Sequence, residues 1–247
     1  IIGIGGSATN DAGLGMLQAL GFRFYDQNGE ILGKGGQILD QIVAIDFSSV
    51  HPALKDARFT IACDVRNPFS GPEGAAYVFA RQKGADGAMI EKLDAGMKRF
   101  SRLIHSTTGR EITEVARAGA AGGLGGAFLA FLNAELKPGI ELLLRTLKFD
   151  EKIKDADLII TGEGRVDRQS VMGKVPFGIL EEANKQGIPV IVVAGSIADT
   201  EVLNKAGFRG IFSIVPSPMS LEVAMKPEAA KNNISRTVAQ IISLATL

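Results

Sequence analysis

Acidic and basic side chains crowd a glycine-rich segment, residues 161–168, which directly follows a short apolar stretch. Its candidate binding residues are Gly162, Gly164 and Arg165, and the other charged residues of the segment and just after it are Glu163, Asp167, Arg168 and Lys174. Phosphoryl transfer needs a carboxylate that holds magnesium or orients a hydroxyl, and cations that stabilise phosphate oxygens. We therefore predict a catalytic segment in which Glu163 is linked to magnesium, Asp167 orients a hydroxyl and Lys174 supplies a cation. The alternative is that Asp167 only pairs with the adjacent arginines to order the loop.

A second glycine-rich segment lies near the start of the chain, between a predicted strand and a predicted helix. Its candidate binding residues are Gly5, Gly6, Ser7 and Asn10, and Asp11 is a candidate catalytic carboxylate. Glycines at such a position let backbone N–H groups approach a ligand, and the N-terminus of a helix favours an anion. The alternative is a tight turn in which Thr9 or Asn10 caps the helix.

Three further polar residues occupy places where sheet proteins bind small ligands. Asp64 follows a predicted strand, Asn67 lies three residues later, and Lys83 precedes a turn glycine. An Asp at the carboxyl end of a strand suits a substrate hydroxyl or a hydrated magnesium ion, so we predict Asp64 as a second magnesium-linked residue. On the pattern alone, an ordinary Asx turn explains Asp64 better, and a lone lysine such as Lys83 is usually only solvated.

A run of small residues, 118–127, contains Gly122, Gly123 and Gly125 and leads into an apolar stretch. The run has the composition of a phosphate-cradling loop that opens a helix, and we predict that backbone amides in residues 119–125 bind phosphate. Close packing of a helix rich in small residues explains the same pattern equally well. Both interpretations stay open at this point.

The composition is that of an ordinary globular protein without a dominant charge. The 247 residues contain 27 Lys and Arg and 27 Asp and Glu, so no global field attracts nucleic acid or an anionic membrane. Trp is absent, which argues against a platform for stacking bases, and no apolar run reaches the roughly 18 residues of a membrane span. Cys63 is the single cysteine, which is compatible with a reducing compartment. We therefore expect a cytoplasmic protein that binds neither nucleic acid nor membrane.

Strands and helices alternate regularly in the last third of the chain. Strands are predicted at residues 158–161, 190–194 and 211–215, a helix at 176–186, and turns at 161–164 and 195–196. This alternation is typical of an α/β fold with a parallel sheet, in which ligands bind beyond the carboxyl ends of the strands. We place a boundary near residue 150, which divides the chain into a mixed α/β domain at 1–150 and part of a second α/β domain at 151–247. Four carboxylates are then expected to face one cleft: Asp11, Asp64, Glu163 and Asp167.

The order of these motifs is similar to that in bacterial glycerate kinases. The shared segments are residues 5–11, 62–64, 82–85, 119–125, 134–140 and 161–167, together with Gly173 and Lys174. Each motif is weak by itself, but the ordered set is highly specific and covers nearly all of the chain. The resemblance implies an ATP-dependent kinase that uses Mg²⁺ and phosphorylates D-glycerate, with 2-phosphoglycerate as the favoured product. It also implies two α/β domains with a cleft between them, one flavodoxin-like with a parallel sheet and made from the two ends of the chain.

The chain begins with a predicted buried strand and without Met, so we expect its true N-terminal part to be missing. The family's Asp-Ser-Phe-Lys-Gly type of segment is not found, which leaves open a catalytically silent ligand-binding protein on the same scaffold. A dinucleotide-dependent oxidoreductase is disfavoured, because the Gly-x-Gly-x-x-Gly fingerprint and its acidic partner are lacking. Residues 80–81 and 115–117 depart from the family pattern without removing a candidate catalytic group. The oligomeric state stays open, with a homodimer as one candidate.

Overall fold

The computed structural model describes residues 1–168, 170 and 173–245. Contacts between residues group the chain into two units, Ile1–Gly139 and Ile140–Leu247. Each unit contains a parallel β-sheet and helices, so the predicted α/β fold class is confirmed. The domain boundary near residue 150 stays a prediction.

The first unit contains a three-stranded parallel sheet and a separate antiparallel pair. The parallel sheet has the order β1 (Ile2–Gly3), β4 (Thr60–Ala62), β5 (Glu135–Lys137), and the antiparallel pair is β2 (Arg23–Tyr25) with β3 (Ala44–Asp46). Ile61 pairs with Ile2 on one side and with Leu136 on the other, and its side chain is fully buried. The central position of β4 therefore directs its carboxyl end, at residues 63–65, to the same edge of the sheet as residues 4–7 after β1.

Four α-helices complete the first unit: α1 (Leu14–Ala19), α2 (Ala75–Phe79), α3 (Gly87–Thr108) and α4 (Ala120–Phe131). Short 3₁₀ turns cover Gly36–Ile38, Pro52–Lys55 and Arg81–Lys83. The long helix α3 begins after Asp86, whose side chain accepts from Met89 N, and it ends before Gly109 at a φ of 72°. Its buried face repeats at helical spacing through Ile90, Met97 and Ile104.

The core of the first unit is rich in phenylalanine. Phe24 and Phe100 are fully buried and meet edge to face, with ring centroids 5.8 Å apart. Phe22 meets Phe131 in the same manner at 5.3 Å. Aromatic pairs in this geometry stabilise a core beyond the area that they bury. These aromatic contacts hold the strand β2 and the helices α3 and α4 together. The glycine-rich loops of the first unit are therefore attached to a well-packed core.

The second unit is a parallel sheet in the order β6 (Ile159–Val166), β7 (Val190–Ile197), β8 (Gly210–Ser213). Its helices are α5 (Gly139–Thr146), α6 (Phe149–Lys152), α7 (Val175–Lys185), α8 (Thr200–Ala206), α9 (Leu221–Ala224) and α10 (Pro227–Ala245). The core strand β7 carries Val190 and Val192, both fully buried, and Leu180 of α7 packs in the same cluster. A central strand that is apolar on both faces is expected when helices cover a parallel sheet on both sides.

The strands of the second unit extend further than the sequence pattern predicts. The sequence pattern predicts turns at residues 161–164 and 195–196, but β6 and β7 stay paired from Ile159 to Val166 and from Val190 to Ile197. A Cβ at Gly162 would lie 2.9 Å from Val193 O, and one at Gly195 would lie 3.0 Å from Gly164 O. The glycines that suggested turns instead permit close approach of two paired backbones. The prediction of turns at these residues is wrong, and Glu163 lies within a strand.

Candidate active site

A cavity of about 320 Å³ opens at the edge of the first unit where β1 and β4 end. Its wall includes Gly5, Gly6 and Ser7 from the loop after β1, Asp64 from the loop after β4, and Lys83. Both strands are parallel, so their carboxyl ends lie side by side, and loops from distant parts of the sequence meet there. The cavity therefore brings together five of the residues predicted to bind ligands.

The Lys83 side chain is held against the glycine-rich loop. Its amine donates to Ser7 Oγ at 2.9 Å and to Thr9 O at 2.5 Å. Burial lowers the pKa of Lys83 below the ordinary lysine value, and the nearby charge of Asp11 partly opposes this shift. Lys83 is therefore an ordered cation in the cavity wall, and not the freely solvated lysine of the alternative interpretation.

Gly5 and Gly6 leave open space beside Lys83. A Cβ added to either residue would meet no heavy atom within 4 Å, among the residues that the structure describes. Gly6 has a φ of 68°, which favours glycine on conformational grounds, whereas Gly5 does not have a positive φ. At Gly5, therefore, neither packing nor backbone conformation requires glycine, and the missing side chain enlarges the cavity.

The carboxyl end of β4 is fixed by several backbone contacts. Asp64 is exposed, and its Oδ1 accepts a hydrogen bond from Gly139 N at 2.8 Å. The Arg117 side chain donates from Nε to Cys63 O at 3.3 Å. Burial raises the pKa of the Cys63 thiol, and its Sγ donates to Val65 O. The Cys63 thiol is therefore a poor nucleophile. Asp64 is the exposed ionisable group at the carboxyl end of β4 and is the one that can contact a ligand.

Asp11 is engaged by the backbone at the start of α1. Its Oδ1 accepts from Gly13 N and its Oδ2 accepts from Gly15 N, both at 3.0 Å. This capping of the helix start is the role that the alternative interpretation gave to Thr9 or Asn10. The catalytic role predicted for Asp11 stays a prediction, and the contacts favour a carboxylate that orders the loop.

Asn10 and Asn67 lie near the cavity but do not form its wall. Asn10 Nδ2 lies 3.7 Å from Met97 Sδ, and its buried Oδ1 has no hydrogen-bond partner among the described residues. Asn67 donates from Nδ2 to Glu73 O at 2.8 Å, which closes the loop after β4. The contact of Asn67 gives that residue a structural explanation, whereas the unpaired Oδ1 of Asn10 is not explained by the packing around it. The binding roles of both asparagines stay predictions.

The glycine run in α4 is packed tightly against neighbouring backbone. A Cβ at Gly122 would clash with Thr9 O and lie 2.7 Å from Asn10 Cα, and one at Gly125 would clash with Arg117 O. Gly122 and Gly123 have φ values of 72° and 92°, and Gly122 O accepts from Ala12 N at 2.9 Å. Close packing thus explains these three glycines. Phosphate binding by their amides stays a prediction, although Ala120 and Ala121 of the same segment form part of the cavity wall.

The second unit holds a separate group of charged residues at the end of β6. Asp167 Oδ2 accepts from Arg165 Nε at 3.1 Å, so the ion pair required by the alternative interpretation is present. Glu163 Oε2 accepts from the hydroxyl of Ser170 at 3.2 Å, and Asp167 N donates to the same Ser170 oxygen at 3.2 Å. Glu163 and Asp167 are therefore joined through one serine.

Three other residues that the sequence singled out in this unit are Lys174, Arg168 and Gly164. Lys174 is exposed and is the residue immediately before α7. Arg168 donates from its backbone N to Asp199 Oδ2 at 3.2 Å, so this contact does not use its guanidinium. Gly164 leaves open space, because a Cβ there would meet no described atom within 4 Å. Asp199 has a φ of 52° and contacts the loop after β6, and no motif in the sequence indicated it.

Sequence reasoning also missed Ser170. Its side chain is fully buried, yet its hydroxyl contacts both segments that bear the predicted carboxylates. The only signal in the sequence is a serine three residues after Asp167, a spacing at which a hydroxyl often bonds to a nearby backbone group.

The described residues show neither a multi-residue metal cluster nor a membrane-spanning helix. No group of three or more His, Cys, Asp or Glu side chains in this part of the chain is arranged to hold a metal ion. None of its helices combines the length and apolar character needed to cross a bilayer.

Comparison with known proteins places this geometry in a family. A model of the glycerate kinase family matches residues 1–246. The glycerate kinase of Halalkalibacterium halodurans is 47% identical over 241 residues, which are 95% of this chain and 63% of that protein. The glycerate 2-kinase of Escherichia coli K12 is 46% identical over 237 residues, covering 96% of this chain and 62% of that protein. The glycerate kinase of Bacillus subtilis is 44% identical over 247 residues, covering 99% and 65%.

A solved structure agrees with these relatives. A crystal structure assigned to glycerate kinase 2 from Salmonella typhimurium LT2 matches with a TM-score of 0.77 and 40% sequence identity. The match covers 98% of this chain and 64% of that one. The chain thus spans less than two thirds of the length of the curated relatives that it matches. Because the family model covers nearly all of its residues, this chain belongs to the glycerate kinase family.

Proposed function

We propose that the protein containing this chain transfers the γ-phosphoryl group of ATP to a hydroxyl of D-glycerate. Family membership and the names of the relatives support this proposal. The structural observation that carries it is the cavity at the ends of β1 and β4. There an ordered lysine, Lys83, an exposed carboxylate, Asp64, and the open face of Gly5 surround a space of small-molecule size.

Lys83 is the residue proposed to bind an anionic group of the substrates. Both D-glycerate and ATP are anions, and the protein has no net charge that would attract them. A fixed ammonium group next to backbone N–H groups of a glycine loop is a suitable partner for a carboxylate or a phosphate. Its hydrogen bonds to Ser7 and to Thr9 O hold the amine in place before the substrate arrives, which reduces the entropy lost on binding.

Asp167 is the residue proposed to orient the reacting hydroxyl. Its carboxylate accepts a hydrogen bond from the hydroxyl of D-glycerate, aligns the oxygen for in-line attack on the γ-phosphorus and receives the proton as the new O–P bond forms. The contact with Arg165 keeps the carboxylate in one orientation.

Glu163 and Asp64 are the proposed magnesium-linked residues. Magnesium is usually held by one or two carboxylates together with substrate phosphates and water, so the small number of carboxylates at each place fits this ion. When bound, the ion neutralises charge on the phosphate oxygens during transfer. Glu163 accepts its hydrogen bond from Ser170 at Oε2, and Asp64 accepts from Gly139 N at Oδ1. These contacts orient the two carboxylates.

We propose 2-phosphoglycerate as the product, because the relative from Escherichia coli is named glycerate 2-kinase. The competing proposal is a catalytically silent protein that binds the same ligands. Release of ADP from ATP upon addition of D-glycerate to the complete encoded protein separates the two, and ³¹P NMR of the product identifies the phosphorylated hydroxyl. Absence of D-glycerate-dependent ADP release would contradict the kinase proposal. A cytoplasmic location and a homodimer remain predictions.

A further inference from the structure

Ser170 is a fully buried polar residue that lies between the two carboxylate-bearing segments of the second unit. Its backbone N donates to Asp167 O at 2.9 Å, which closes a tight turn after β6. Its hydroxyl oxygen accepts from Asp167 N at 3.2 Å, and the hydroxyl donates to Glu163 Oε2 at 3.2 Å. A serine hydroxyl has one proton to donate and two lone pairs, so it makes both contacts at once.

We propose that Ser170 is a positioning residue for phosphoryl transfer and that it acts through the carboxylate of Glu163. This inference rests on the proposed function, in which Glu163 takes part in the chemical step. Glu163 lies on a strand and has a long side chain with several rotamers. A hydrogen bond from a buried hydroxyl to one of its oxygens selects one orientation, and such bonds to an ionised acceptor are stronger than bonds between neutral groups.

The same hydroxyl relates the position of Glu163 to that of Asp167. Glu163 is fixed to the sheet by β6, which pairs with β7, whereas Asp167 lies in the turn that follows the strand. The Ser170 hydroxyl makes hydrogen bonds to the backbone N of Asp167 and to the side chain of Glu163. A shift of β6 or of the turn that follows it therefore disturbs both hydrogen bonds. Ser170 thereby links the side chain of Glu163 to the backbone of Asp167.

The hydroxyl can be removed without deleting the turn. The bond from Ser170 N to Asp167 O uses only backbone atoms and persists in Ser170→Ala. The substitution therefore tests the contacts of the side chain. Ser170→Thr retains a hydroxyl and is the conservative variant that restores the contact. Ser220→Ala is the matched control, since Ser220 is a serine of the same unit whose side chain accepts from Val223 N and caps α9.

The first test is steady-state kinetics of D-glycerate phosphorylation by the complete encoded protein. We expect Ser170→Ala to lower kcat about tenfold, with KM values for ATP and D-glycerate within threefold, and Ser170→Thr to recover most of the loss. Ser220→Ala should leave kcat unchanged even if it lowers the unfolding temperature. A Ser170→Ala variant with normal kcat, or one in which kcat falls only in proportion to the folded fraction seen by circular dichroism, overturns the inference.

The second test asks whether Ser170 acts through Glu163. In a double-mutant cycle with Glu163→Ala, which removes the acceptor of the Ser170 hydroxyl, the Ser170→Ala substitution should lower kcat by less than about twofold further. Multiplicative losses in the double variant would show independent action and overturn the inference. If the unsubstituted protein does not phosphorylate D-glycerate, the proposed function itself is wrong and this inference falls with it. An active protein with multiplicative losses contradicts the inference alone.

Discussion

The side-chain amine of Lys83 lies 2.9 Å from the hydroxyl oxygen of Ser7, although the two residues are 76 positions apart in the sequence. The contact joins the 3₁₀ turn Arg81–Lys83 to the loop that follows β1. It places a cation beside the glycines of that loop, at the edge of the sheet where β1 and β4 end. The contact between Lys83 and Ser7 therefore makes the cavity of the first unit a candidate anion-binding site.

Replacing Lys83 by methionine should reduce kcat/KM for D-glycerate phosphorylation by about 10- to 100-fold, since a hydrogen bond to a charged group contributes about 1.5–3 kcal/mol. Lys83→Arg keeps the charge and should retain more activity. The two variants and the unsubstituted protein are compared by initial rates at neutral pH, with circular dichroism to verify folding. Equal activity of Lys83→Met and the unsubstituted protein would exclude Lys83 from binding.

The pKa of Lys83 predicts how substrate binding changes at alkaline pH. Burial lowers this pKa, so the bound proton is lost at a lower pH than in an ordinary lysine. The affinity for anionic substrates should therefore be full below the lowered pKa and should decline as the pH rises through it. In Lys83→Arg the guanidinium stays protonated, and the decline should be absent. Identical alkaline profiles of 1/KM for the two proteins would contradict this assignment.

Asp167→Asn should lower kcat at least about tenfold, which is about 1.4 kcal/mol of barrier, while KM values stay within about threefold. The reason is that an amide cannot receive the proton of the substrate hydroxyl. Arg165→Ala serves as the control, because it removes the ion pair with an exposed arginine and keeps the carboxylate. Such pairs contribute about 0–1 kcal/mol, so its kcat should fall by less than about fivefold. Equal losses in both variants would support the loop-ordering alternative for Asp167.

Gly5→Ala should weaken substrate binding without affecting stability. A Cβ at Gly5 meets no described atom within 4 Å, so the methyl group projects into the space that the ligand is proposed to occupy. One added carbon in a pocket typically changes kcat/KM by about 10-fold or more. Gly3→Ala is the matched control, because its Cβ is equally unobstructed and Gly3 does not line the cavity. Equal kcat/KM values for the two variants would argue against a ligand at Gly5.

Gly122→Ala should destabilise the first unit. Gly122 and Gly109 share a φ of 72°, but only Gly122 is packed against the backbone of Thr9 and Asn10. At both positions alanine would have to adopt an unfavourable positive φ. At Gly122 its methyl group also overpacks the core, which costs about 1–3 kcal/mol more in stability. Urea unfolding of Gly122→Ala and Gly109→Ala measures this difference directly. Similar unfolding free energies of the two variants would show that the backbone around Gly122 shifts to accommodate the methyl group at little cost in stability.

Local sequence patterns were sufficient for the fold class and for several elements. The spacing of Ile90, Met97 and Ile104 predicts α3, because residues three, four or seven apart lie on the same face of a helix. The alternation of apolar strands and helices after residue 157 predicts the parallel sheet of the second unit. These features depend on hydrogen bonds and side-chain periodicities within short segments, which the sequence encodes directly.

Glycine patterns were ambiguous, because the same residue serves turns, ligand contacts and close packing. At Gly162 and Gly195 the surrounding motif suggested turns, but parallel strand pairing continues through both. At Gly122 the pattern leaves two interpretations open, and the clash that a Cβ there would make with Thr9 O supports close packing. Which role applies depends on atoms contributed by segments far away in the sequence.

The sequence alone identified the chemical groups, namely the carboxylates, the lysines and the glycine-rich loops, together with the strands that precede them. Only the tertiary structure decided how these groups are used. It directed both oxygens of Asp11 toward the amides of Gly13 and Gly15 at the start of α1, held Lys83 at Ser7, and placed the buried Ser170 between Glu163 and Asp167. The physical reason is that hydrogen bonds of side chains form at about 3 Å. Such distances between segments distant in sequence are set by the packing of the whole unit and not by any local pattern.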